Sequence, residues 1–214
     1  MLRRLRDDQS GGALVEATVL IPILFTFLLG SVDFLYACSQ WTAATKAAEV
    51  GARLAAVSDP VATGLTGTTN LATNAVSASV LVGDPMPSFT ITCDGASSNC
   101  SCTGFCTGYG AYSSAAMNTI VYGRGSSACN DATSYYNAGM CDFFQRLLPT
   151  NVRIVYSQTG LGFAGRVAGP VPTITVSLQN LTYQFFFLNG LLGALTMPNF
   201  TTTFTGEAMS SGPA

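Results

Sequence analysis

The chain has 214 residues, with nine Lys and Arg, eleven Asp and Glu, no histidine and a net charge of −2. Only 9% of the residues are charged, against about 25% in ordinary soluble domains. The basic residues past Ser10 are few and scattered, which excludes nucleic-acid binding, because that needs clustered cations to neutralise phosphates. Without histidine, Ser-His and Cys-His nucleophile pairs are excluded as well.

The amino-terminal end opens with Arg3, Arg4 and Arg6, then the pair Gly11-Gly12 and a glutamate, Glu16. No charged residue follows until Asp33. The sixteen residues between the two acids span roughly 24 Å as helix, and extension to Ala13 and Ala37 covers a ~30 Å hydrocarbon core. Glu16 and Asp33 then fall near the two interfaces, where charge costs less than at the centre. The arginines mark the cytoplasmic side, which places the rest of the chain outside the cytoplasm. Pro22 removes one helical hydrogen bond and predicts a kink. A plain signal-anchor, a processed anchor and a removable secretory signal all fit this segment. The last includes a lipoprotein form, in which Leu35-Tyr36-Ala37-Cys38 serves as the lipidation sequence.

From Leu35 the sequence is alanine-rich, and Lys46 with Glu49 supports a helix. Leu35, Cys38, Trp41, Thr45, Ala48, Ala52 and Ala55 recur at helical spacing and mark a face for close packing, against the head or against a neighbouring subunit in a filament. Ser58-Asp59-Pro60 stops the helix. One helix is therefore expected from about Ala13 to Val57, some 67 Å long. The expected organisation is a basic cytoplasmic leader over 1–11, a transmembrane and stalk helix over 12–57, and an extracytoplasmic head over 58–214 with a Cys-rich insert at 93–141.

In the head, 61–74 reads as a loop and 75–81 as a short helix or strand that periodicity does not decide. Residues 87–93 alternate and predict a strand. Residues 94–109 read as a cysteine- and glycine-rich loop, and 112–122 and 141–148 as helices. Strands are expected over 151–158, 172–184 and 199–205. The fold class is thus α+β, with the long helix packed on an antiparallel sheet of four strands and a disulfide-rich loop. The apolar run 185–195 is too short and too broken by Asn189, Gly190 and Gly193 to span a bilayer. It is either a buried hairpin or an exposed patch that meets a membrane or a partner.

Six cysteines, Cys93, Cys100, Cys102, Cys106, Cys129 and Cys141, lie in the head and are expected to form disulfides, with the pairing open among fifteen possibilities. Their spacing fits no zinc pattern, so no metal is expected. Cys38 stands apart at the membrane edge. Asp94, Asp131 and Asp142 are isolated in sequence, and no paired-carboxylate motif or phosphate loop is present. No enzyme activity, cofactor or small-molecule substrate is expected.

Gly11, Val15-Glu16, Pro22, Asp33 and Gly51-Ala52-Arg53 together carry a resemblance to the TadE-like family, minor pilin-like proteins of bacterial tight-adherence (Tad or Flp) pilus systems. The resemblance runs from Gly11 to Val57. The carboxyl-terminal stretch 172–193 also looks like the family's closing strand and apolar loop, and the middle is not covered. It implies a pilin-like fold, an inner-membrane location, and cleavage by a prepilin peptidase between Gly11 and Gly12. It further implies that Glu16, then the fifth residue, pairs with the terminal ammonium of a neighbouring subunit. The implied partners are other pilus or pseudopilin subunits, the peptidase and the lipid bilayer. The alternative from a different class is a membrane-tethered or lipid-anchored binding module that never polymerises.

Overall fold

A computed structural model describes residues 10–130 and 137–209. Arg3, Arg4 and Arg6, most of the expected 1–11 leader, and Asp131 lie outside the described residues. The chain divides into two compact units. One is Met1–Gln40 with Thr182–Leu195, and the other is Trp41–Leu181 with Thr196–Ala214. A single helix, α1 (Ser10–Val57), contributes to both.

In the first unit, α1 presents an apolar surface with almost nothing on it. Phe25 is 60% and Phe27 78% exposed, and Leu14, Leu20, Ile21 and Leu24 are exposed too. The helix continues through Pro22. The Thr26 hydroxyl donates to the Pro22 carbonyl at 2.8 Å, the back-bonding that hydroxyl residues make inside helices. The second segment of this unit carries a one-turn helix, α5 (Asn189–Leu192). A backbone bond from Tyr183 N–H to the Leu195 carbonyl at 2.8 Å closes the base of the loop between them.

The second unit is α+β. Its sheet has five antiparallel strands in the order β2-β1-β3-β4-β5. These are β1 (Phe89–Asp94), β2 (Asn99–Gly104), β3 (Val152–Ser157), β4 (Thr173–Leu178) and β5 (Phe200–Thr205). Alternation along the central strands buries one face: Phe89, Ile91 and Cys93 on β1, Val152, Ile154 and Tyr156 on β3, and Ile174, Val176 and Leu178 on β4. The register sets Tyr156 between Ile91 and Ile174, and Ile154 between Cys93 and Val176. Each such aliphatic side chain contributes about 1.5–3 kcal/mol when fully buried.

The Trp41–Val57 part of α1 packs on this sheet. Ala44, Ala47, Ala48, Ala52, Ala55 and Ala56 are buried, and the Trp41 ring meets Phe200 of β5 edge-on at 4.9 Å. Small side chains let the helix backbone come close, and Gly51 shows how close. A Cβ there would lie 2.5 Å from the Met140 sulfur, in the turn of helix α4 (Met140–Phe143). Helix α3 (Ser114–Tyr122) starts on Ser113, whose hydroxyl accepts the Ala116 N–H at 3.2 Å.

Several expectations change. The sheet has a fifth strand, because the cysteine-rich stretch holds β2, whose Cys100 is buried against the neighbours of β1. Residues 75–81, expected as a short helix or strand, form neither, and a short helix lies just before them, as α2 (Leu71–Asn74), within the segment read as a loop. Asn70 fixes it by a capping box with Thr73. The Asn70 amide also donates to the Gly67 and Val167 carbonyls, each at 2.8 Å. The helix at 141–148 shrinks to α4. On α1, Leu35 and Cys38 are exposed, and Trp41 stays partly exposed beside Phe200. The buried positions there are polar, Asp33 and Gln40.

Candidate functional site

No histidine is available for metal or nucleophile chemistry. Among the described residues no three His, Cys, Asp or Glu side chains stand together in a way that could hold a metal ion.

Gly11 and Gly12 lie in the first turns of α1. A Cβ at Gly12 would meet nothing within 4 Å, so this backbone is open to approach. Glu16 is one turn further on and exposed. It is the single charge on an otherwise apolar stretch that runs to Val32. Pro22 lies between Glu16 and Asp33 on the same helix.

The structure assembles a second cluster at Asp33, absent from the sequence expectations. Asp33 is fully buried, and its carboxylate accepts three consecutive backbone N–H groups. Phe186 donates to Oδ1 at 2.8 Å, and Phe187 and Leu188 donate to Oδ2 at 2.9 and 2.7 Å. Two turns on, Gln40 clasps the same segment. Its Nε2 donates to the Gln184 carbonyl at 2.8 Å, and its Oε1 accepts the Gln184 N–H at 3.0 Å. Between them the Tyr36 ring lies 4.6 Å from that of Phe186. Positions 33, 36 and 40 follow helical spacing, so one face of α1 carries all three contacts. A carboxylate removed from water is costly, and charge-assisted bonds from three amides offset that cost.

The apolar stretch at 185–195 is therefore not a buried hairpin. Phe186 and Phe187 are 66% and 53% exposed, and Leu195 is exposed as well.

In the second unit the cysteines pair as Cys93–Cys100, Cys102–Cys106 and Cys129–Cys141. The first joins directly opposed residues of β1 and β2. Cys38 lies outside these bridges and is exposed. Asp94, isolated in sequence, is not isolated in space. The Arg153 guanidinium donates to its Oδ2 through Nη2 at 2.6 Å and Nε at 3.0 Å. The Gln179 amide and the Ala96 N–H complete the shell. Burial pushes the Asp94 carboxyl up, but Arg153, Ala96 and Gln179 together hold it below the usual value. Asp142 accepts the Asn130 and Gly139 N–H groups, each at 2.8 Å, and steadies the approach to Cys129–Cys141. These contacts pair charges and cap turns within the fold, and they bring no nucleophile beside a base.

The glycine pair, the lone glutamate and the apolar helix fall together within one stretch of sequence. Residues 11–53 match the family model described as TadE-like protein. The TadE-like segment begins at Gly11, takes in Glu16, Pro22 and Asp33, and ends at Arg53. No curated protein and no solved structure matches the chain.

Proposed function

We propose that this chain is a pilin-like minor subunit or assembly factor of a tight-adherence pilus. The TadE-like family is a pilus-component family, and one apolar helix fits a single-pass anchor in such a component. Helix α1 sits in the bacterial inner membrane with the sheet-bearing unit outside the cytoplasm. A prepilin peptidase cuts between Gly11 and Gly12. Other pilus subunits are the partners, and no catalytic step is involved.

The observation that carries this reading is the family match that starts at Gly11 and includes Glu16, the single charge on an exposed apolar helix face. An isolated carboxylate in a low-dielectric helix bundle is penalised, and opposite charges attract strongly there. A terminal ammonium freed at Gly12 on a neighbouring subunit would satisfy it and fix the register between subunits. Without that partner, Glu16 is only a cost to insertion.

The test is the mature amino terminus of protein recovered from membranes, read by intact mass and terminal sequencing, together with Glu16→Ala. A start at Gly12 and a variant that inserts but fails to join the pilus support the proposal. An uncut chain removes the processing step. A Glu16→Ala protein that joins the pilus normally removes the assembly role. Full function on an unrelated membrane anchor would favour a tethered binding module instead.

A further inference from the structure

We propose that the loop from Tyr183 to Leu195, held to α1 by Asp33 and Gln40, is a second membrane contact that lies in the interfacial layer of the bilayer where α1 emerges. This rests on the reading of the apolar part of α1 as the membrane span.

Depth supports it. From Leu14 to Val32 the helix rises by about 28 Å, close to the ~30 Å hydrocarbon thickness. Asp33 follows directly, so the loop it holds is level with the membrane surface. Chemistry supports it too. The loop has no charged residue over 183–195. It exposes Phe186 and Phe187, and the adjoining helix exposes Phe34 and Leu35 (68% and 67%). Tyr36 beside Phe186 and Tyr183 beside Phe185 stand at the same end of the span, and amphipathic tyrosine rings form the belt found at membrane–water boundaries.

The hydrogen bonding fits the same place. A backbone amide that enters a low-dielectric layer without a partner is heavily penalised. Here the N–H groups of Phe186, Phe187 and Leu188 are satisfied by Asp33, and both backbone groups of Gln184 by Gln40. Side chains of the spanning helix thus supply what water would otherwise supply. A loop built for bulk solvent needs neither that shielding nor a charge-free, phenylalanine-rich face. The loop is apolar outward and satisfied inward, and the surface that suits it is lipid.

The test uses the full chain in vesicles of phosphatidylethanolamine and phosphatidylglycerol whose acyl chains carry bromine at a shallow or a deep position. Phe187→Trp reports on the loop and Phe25→Trp on the span, each read against the Trp41 background of the parent protein. The expected result is that Phe187→Trp loses most of its added emission to shallow bromines, and Phe25→Trp to deep ones. Adding Asp33→Ala should cut the loop quenching and leave the Phe25 reporter unchanged. An unquenched loop reporter beside a quenched span reporter overturns the proposal. If that loop emission is also blue-shifted and varies with the protein-to-lipid ratio, a second copy of the chain covers the loop instead. Loop quenching that survives Asp33→Ala removes Asp33 from its role. A span reporter that no bromine reaches overturns the membrane span and this proposal with it.

Discussion

Asp33 and Leu188 lie 155 positions apart in the chain, and their carboxylate and amide meet at 2.7 Å. With Phe186 and Phe187 on the same carboxylate, one side chain of α1 gathers three consecutive amides from a distant segment. The amides just before α5 find their acceptor on α1 rather than on a local Ser, Thr or Asp.

Removing that acceptor should free the loop. Asp33→Ala is expected to raise the hydrogen-exchange rates of the Phe186, Phe187 and Leu188 amides well above those of Ile91 or Ile154 in the sheet. Asp33→Asn keeps one good acceptor and should fall between. Peptide-level exchange on the full-length protein measures this, and unchanged rates in the alanine variant would refute the role of Asp33 in holding the loop.

Acid should act through Asp94. Its carboxyl is held below the ordinary value despite the opposing effect of burial, so the folded state binds that proton more weakly than the unfolded state. The stabilisation is therefore complete above the unfolded value near 3.9 and is lost as pH falls through the folded value. Arg153→Gln should flatten the fall in the urea midpoint between about pH 5 and pH 2. An unchanged slope would mean that the pair contributes nothing to acid stability.

Tyr156 is fully buried, and its hydroxyl accepts the Val61 N–H at 3.0 Å. Tyr156→Phe keeps the ring and strands the amide, at a cost of about 1–3 kcal/mol. Burial also pushes the phenol above its ordinary value, and the Val61 N–H only partly opposes this. The folded state thus favours the neutral phenol. That contribution is present below about pH 10 and is lost as pH rises beyond it. Chemical denaturation of both proteins, at neutral and alkaline pH, checks both statements.

Close packing at Gly51 gives a fourth expectation. Gly51→Val should cost about 1–3 kcal/mol, because the new methyls overlap Met140 in a filled core. Pairing it with Met140→Ala should recover part of the loss, the non-additivity of neighbours. Strict additivity in the double-mutant cycle would show that the two residues do not compete for space.

The helix and most of the sheet can be read from residue pattern alone. A charge-free run between Glu16 and Asp33, followed by an alanine-rich stretch, has few alternatives to a long helix. Alternation marks β1, β3 and β4 directly. Strand β2 is hidden because its sequence, NCSCTG, has one β-branched residue, Thr103, and no aromatic one, and takes its order from β1 and a disulfide. Helix α2 is hidden because four residues are too few to show a period. The Asp33 cluster is missed for a different reason. An acid at the end of an apolar run looks like a boundary charge, and no local spacing reveals an acceptor whose donors lie so far along the chain. The same cause misdirects the packed face of α1, since a search for apolar positions passes over buried Asp33 and Gln40.

The three disulfides join cysteines that are consecutive in the head: first with second, third with fourth, fifth with sixth. A chain that meets an oxidant from its amino-terminal side would reach the correct arrangement simply by closing each pair as its second thiol arrives. Such a protein needs an oxidant but little reshuffling. Each bridge also closes a short ring, of 7, 4 and 12 positions. Reduction would therefore loosen the β1–β2 end and the turn at α4 locally, and would leave the register of β3, β4 and β5 to the apolar core.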